Sequence, residues 1–186
     1  MIYFEYSDIE NENIQGYFEN MPFIIGVPTR YTIDTFGFNL HDCHKDFIPI
    51  WMKKINGYPL YFCIQIENFI KKEFKEVCAQ HNIKYEDYNK LFKIIKIESE
   101  DQLKQFLTLA LTIASMGLVV SWATKYNIFT DIENLAQTEI QIPEDQSFIC
   151  IGHDCESLLI STNNHKFKSK REIINNFFDE YEYQVD

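Results

Sequence analysis

The chain has 186 residues, and its 28 Asp and Glu against 17 Lys and Arg set a formal net charge of −11. A field of that sign repels phosphate backbones, which argues against direct nucleic-acid binding, and it attracts a basic protein partner. With 46% hydrophobic residues a packed core can form, so global disorder is excluded and one globular domain over residues 1–186 is expected.

Taken in chain order, residues 2–6 predict a first strand. Ser7-Asp8-Ile9-Glu10 then resembles a capping box, opening a short helix to about Phe18. Residues 23–27 form a second apolar run ended by Pro28. Residues 47–66 predict a hairpin, because Asn56-Gly57 separates two strand-like runs and both residues tolerate positive φ. Pro49 and Pro59 push parts of that hairpin toward a sheet edge. A helix is expected over 67–81, with Phe69, Ile70, Phe74, Val77 and Cys78 on its apolar face. The stretch 85–97 reads as a helical turn followed by a strand.

Residues 105–124 run without a charge, QFLTLALTIASMGLVVSWAT. Twenty residues rising about 1.5 Å each would cross a hydrocarbon core of roughly 30 Å. Three features argue instead for a buried helix over 100–116 feeding a buried strand. Leu103, Phe106, Leu107, Ala110, Leu111 and Ala114 have helical spacing. Ser99 followed by Glu100 and Asp101 suits a helix start, and Gly117 suits its end. No membrane span is therefore expected. Beyond it, residues 127–137 suggest a strand or loop and a helical turn, residues 147–161 a second hairpin, and 169–181 a final helix with Ile173, Ile174, Phe177 and Phe178 on one face. The sum is an α+β fold, with helices packed on a largely antiparallel or mixed sheet.

Five cysteines, Cys43, Cys63, Cys78, Cys150 and Cys155, make an odd number without framework spacing. The opening residues also lack the basic and apolar regions of a secretory leader. Reduced thiols in a cytoplasmic protein are the expectation, with Cys63 and Cys78 at core positions.

His-Asp-Cys occurs twice, at 41–43 and 153–155. If those loops met, Cys43, His44, Cys150, His153 and Cys155 would offer zinc ligands, or Cys155 or Cys43 a nucleophile beside a histidine base. Neither spacing is strong. Cys43 and His44 are adjacent, and Asp154 and Glu156 would raise the Cys155 thiol pKa rather than lower it. Phosphate-binding glycine loops and the metalloprotease and serine-hydrolase motifs are missing, so no catalytic residue and no cofactor is called for.

The charge is unevenly spread. Residues 1–20 hold five acids and no base, residues 61–97 seven lysines against five acids, and residues 98–147 eight acids against two lysines. The last eight residues, DEYEYQVD, hold four acids. Carboxylates interleaved with tyrosines suit a cationic surface. The expectation is a small acidic protein that binds a basic partner, as an immunity or antitoxin-type inhibitor of a cationic toxin or nuclease does. Asp179, Glu180, Tyr181, Glu182 and Tyr183 would form the contact, with Asp131 and Glu133 behind them. An enzyme or zinc protein using the His-Asp-Cys loops at 41–44 and 150–155 is the alternative.

Overall fold

The computed structural model describes residues 2–8, 24–26, 31–36, 47–129, 139–152, 155, 157–177 and 183–185. In chain order these form β1 (Ile2–Asp8), β2 (Ile24–Ile25), β3 (Tyr31–Phe36), α1 (Phe47–Lys54), β4 (Leu60–Gln65), α2 (Lys71–Gln80), β5 (Lys84–Asp87) and β6 (Phe92–Ile97). There follow α3 (Glu100–Ser115), β7 (Val120–Thr124), β8 (Glu139–Ile140), β9 (Ser147–Ile151), β10 (Leu158–Thr162), α4 (Lys170–Phe177) and β11 (Tyr183–Val185). Nine strands make one sheet in the order β11-β1-β3-β10-β9-β7-β4-β6-β5, and β2 pairs with β8 separately. Neighbours in the large sheet are antiparallel except β11, which runs parallel to β1. The fold is α+β, with a mixed sheet.

The uncharged run divides as its pattern predicts. Ser99 caps α3 by accepting a hydrogen bond from the Gln102 N–H at 3.3 Å, and Leu103, Phe106, Leu107, Ala110, Leu111 and Ala114 are buried. Gln105, Thr108 and Ser115 are exposed on the other side, and the Thr112 and Ser115 hydroxyls donate to the carbonyls of Thr108 and Thr112 at 2.8 Å. Sixteen residues span about 24 Å at 1.5 Å each. Among the described residues no helix is long and apolar enough to cross a membrane.

The first expected hairpin is corrected in its leading half: residues 47–54 are helix α1, and only Leu60–Gln65 is strand. Phe47, Ile48, Trp51, Met52 and Ile55 are buried while Ile50, Lys53 and Lys54 are exposed, a 3.6-residue period within the apolar run. Pro49 sits in the first turn, where a missing N–H costs nothing, so it marks no sheet edge. Asn56 has φ 55°, but it ends a helix instead of turning a hairpin. The Gly57 N–H donates to Met52 O at 2.8 Å and the Asn56 N–H to Lys53 O at 2.9 Å, a Schellman pair. The same device ends α2, with Asn82 at φ 51° and Ile83 N–H on Cys78 O at 2.8 Å. It ends α3 too, with Gly117 at φ 75° and the Gly117 N–H on Ala114 O at 2.9 Å.

Three other expectations change. Helix α2 begins at Lys71, which leaves Phe69 in the preceding turn and 67% exposed. Residues 84–97 are two antiparallel strands with no helical turn, and Tyr31–Phe36 is a strand that the sequence reading passed over. Ser7 and Asp8 lie inside β1, and residues 9–18, where the short helix is expected, lie outside the described residues. The 147–161 hairpin and the helix near 169–181 are present as β9–β10 and α4.

Pleating sends alternate residues to opposite faces. Leu60, Phe62, Ile64, Ile95, Ile97, Val120, Trp122, Ile149, Ile151, Leu158 and Ile160 meet α1, α2 and α3 in the main core. Phe62 lies at its centre, stacked on Trp122 at 5.1 Å and edge-on to Phe106 at 5.4 Å. The other face holds Cys63, Ile94, Ala123, Phe148 and Cys150, covered by Phe129, Ile140 and Ile142. Where β9 and β10 open toward the chain, buried polar groups satisfy one another. The Ser147 and Thr162 hydroxyls are 2.7 Å apart, Thr162 Oγ1 donates to Gln146 O at 2.9 Å, and Asn163 Nδ2 donates to Ile142 O at 2.6 Å.

Candidate partner-binding surface

The two edges of the nine-stranded sheet carry different charge. At one, β1, β3 and β11 contain Glu5, Asp8 and Asp34 and no Lys, Arg or His. Their sequences, IYFEYSD and YTIDTF above all, are rich in the aromatic and β-branched residues that favour strands. The register sets Glu5 directly opposite Asp34, and Ile2 beside Tyr183 across the parallel pair. Like charges at directly opposed positions of an antiparallel pair are mutually destabilising. Arg30, which precedes β3, lies outside the described residues.

At the other edge the register sets Lys84 opposite Lys96, but the counter-ion is built in. Lys96 Nζ lies 2.9 Å from Glu98 Oε1. That bond raises the lysine pKa and, with Lys96 charged, holds the Glu98 carboxyl below its ordinary range. Lys93, 5% exposed, donates to Asn89 O at 3.0 Å and pairs with Asp87 at 3.0 Å. Asn89 Oδ1 accepts from the Leu91 and Phe92 N–H groups at 2.8 and 2.9 Å, closing the turn between β5 and β6. Asn82, Lys84, Lys96, Glu98 and Gln102 line a small open recess between this edge and the start of α3. Behind it, Glu100 bridges Lys53 and Lys104 at 2.9 Å each, which ties α1 to α3 and lowers the Glu100 pKa.

The thiols are placed for packing. Burial pushes the Cys63 and Cys78 pKa values up to about 12, and that of Cys150 higher still. A thiolate is the reactive form, so these groups are poor nucleophiles. Cys150 belongs to the sheet face covered by Phe129 and Ile140, whereas Cys155 joins the helix-side core, its Sγ 3.4 Å from Leu111 O. The sheet thus separates Cys150 from Cys155, two of the three cysteines of the expected zinc set. Cys43, His44 and His153, the remaining members, lie outside the described residues, as does Asp154. Among the described residues no three His, Cys, Asp or Glu side chains are grouped to hold a metal ion.

Of the residues expected to contact a partner, Tyr183 falls in β11, where the backbone is paired with β1. Asp179, Glu180, Tyr181 and Glu182 precede that strand and lie outside the described residues, as do Asp131 and Glu133. The sequence reading missed Asp34 and the pairing that sets it beside Glu5. The alternation of YTIDTF was the available signal for the strand; its partner was not legible, because β1 and β3 are separated by 22 residues of intervening sequence that includes β2. No family model matches the chain, and neither a curated protein nor a solved structure shows a relationship to it.

Proposed function

We propose that this chain is a small acidic binding protein that engages a basic protein partner through the β11-β1-β3 edge. Neutralising a cationic toxin or nuclease, as an immunity protein does, is one concrete form. Reduced, buried thiols suit a cytoplasmic setting for it. One observation carries the reading. Glu5 and Asp34 are opposed in register within strands that contain no base, and the last eight residues of the sequence hold four further acids. A cationic partner relieves that repulsion on binding and is steered to the edge by the same field. Asp179, Glu180, Tyr181, Glu182 and Tyr183 would supply the contact, and Asp131 and Glu133 a second zone.

The test is capture from the native host by the immobilised full chain, resolved by mass spectrometry. A parallel column carries Glu5→Gln and Asp34→Asn together with Asp179→Asn, Glu180→Gln and Glu182→Gln. The reading expects a partner of net positive charge on the first column, depleted about tenfold on the second. Retention of the same proteins by both columns contradicts it, as does a captured set with no basic member.

A further inference from the structure

Three connections meet where β4 finishes. The Gln65 N–H donates to Val119 O at 2.9 Å and the Ile66 N–H to Leu91 O at 2.7 Å. These bonds bring the turn before α2, the β5–β6 turn and the α3–β7 connection to one end of the sheet. Each connection holds a large apolar side chain out in solvent: Phe69, 67% exposed, Leu91, 42%, and Met116, 48%. They are three of the six exposed large hydrophobic residues among those described. Single exposed apolar residues need no explanation, but three at one end mark a contact surface. Beside them stand Lys71, Lys72 and Lys90, all exposed. The nearby acids are already engaged: Glu67 accepts from Gln65 Nε2 at 3.0 Å, and Asp87 pairs with Lys93 at 3.0 Å. Farther along α2, Lys75 stands with Glu73 and Glu76, the latter 3.8 Å from Lys72. This end is thus locally basic on a chain of net charge −11. Glu100 and Asp101 start α3 at the opposite end, sixteen residues or about 24 Å away, well beyond a Debye length of about 8 Å.

We infer that this end of the molecule docks on an anionic phospholipid surface, with Phe69, Leu91 and Met116 entering the boundary between headgroups and acyl chains. Lys71, Lys72 and Lys90 then meet the anionic headgroups, their apolar stems lying along the same boundary. Charge and shape choose this occupant. A second copy set two-fold on the same end would bring lysines against lysines. Three projections on separate connections suit a fluid boundary that closes around each, whereas a folded partner must offer a matching hollow for each. The inference is independent of the proposed function, because the acids of β1 and β3 belong to the far edge of the sheet.

The experiment sediments the full chain with vesicles of about 30% phosphatidylserine in phosphatidylcholine, and with phosphatidylcholine alone, at about 150 mM salt. Partition to the anionic vesicles is expected to be at least about tenfold stronger. Combining Lys71→Gln, Lys72→Gln and Lys90→Gln should weaken it about tenfold or more, and so should Phe69→Ser. All four side chains are exposed, so the unfolding midpoint of these variants should stay in place. A Phe69→Trp variant supplies a second readout, its added fluorescence shifting to the blue on anionic vesicles. Binding to neither vesicle, equal binding to both, or an unshifted tryptophan overturns the inference. Capture of a polyglutamate probe through the same lysines, without vesicle binding, overturns it in favour of an acidic polypeptide.

Discussion

The lysine-bearing edge and the acidic edge belong to the same sheet, yet their strands differ in charge, and the first carries counter-ions of its own. Lys84 opposes Lys96, and Glu98 sits 2.9 Å from the Lys96 ammonium; Lys93 is buried, and Asp87 and Asn89 hold it. At the far edge Glu5 opposes Asp34 within strands that hold no cation. Opposed like charges each cost a fraction of a kcal/mol, and at the lysine-bearing edge Glu98, Asp87 and Asn89 O offset that cost. Under the proposed function, the acids of the far edge are the ones that meet the partner.

The comparison can be broken at the sheet centre first, where the largest effect lies. Phe62→Ala removes a buried ring that touches Trp122 and Phe106, and should cost about 3–5 kcal/mol in chemical denaturation. Both edges should then lose exchange protection together. Loosening of one edge alone would mean that they do not belong to one cooperative sheet. Next in size, Lys93→Met should cost about 1–2 kcal/mol, because it discards hydrogen bonds to Asp87 and to Asn89 O. Exchange should quicken in β5 and stay unchanged in β11.

Acid titration separates the two kinds of carboxylate by sign. Hydrogen bonds from Lys53 and Lys104 lower the folded-state pKa of Glu100, so its contribution is present above the unfolded value of about 4.3 and lost as pH falls through the depressed one. Glu100→Gln should therefore flatten the acid limb of the stability curve, and an unaltered limb would remove Glu100 from the account. Asp34→Asn acts the other way and is the smallest effect, a gain of a few tenths of a kcal/mol at neutral pH as its repulsion with Glu5 is relieved. A loss of stability there would show that Asp34 already has a cation.

What could be read from the chain alone followed from how local each signal is. α3 was legible in full because its cap, its apolar spacing and Gly117 all lie within 19 residues and agree. Residues 47–57 misled because Asn56-Gly57 meets the backbone demand of a hairpin turn and of a Schellman helix end alike; the spacing of Trp51, Met52 and Ile55 was the discriminating evidence. The His-Asp-Cys repeat drew attention by composition. Yet Cys150 and Cys155 are an odd number of residues apart across a hairpin, with Cys155 at φ 59°, and the sheet lies between them. The terminal acids were visible as a run of charges, but the strand pairing of Tyr183–Val185 that follows most of them was not. The β1–β11 pairing joins the first described strand to the last, and no local pattern encodes a contact of that span.

The most direct test of the account is the association rate of the full chain with its captured basic partner, measured from about 50 to about 500 mM salt. Steering by the acidic edge and the terminal acids predicts a fall of at least about tenfold across that range, reduced to within about twofold when Glu5, Asp34, Asp179, Glu180 and Glu182 are neutralised. A rate that ignores salt, or one that falls equally steeply without those carboxylates, would contradict it.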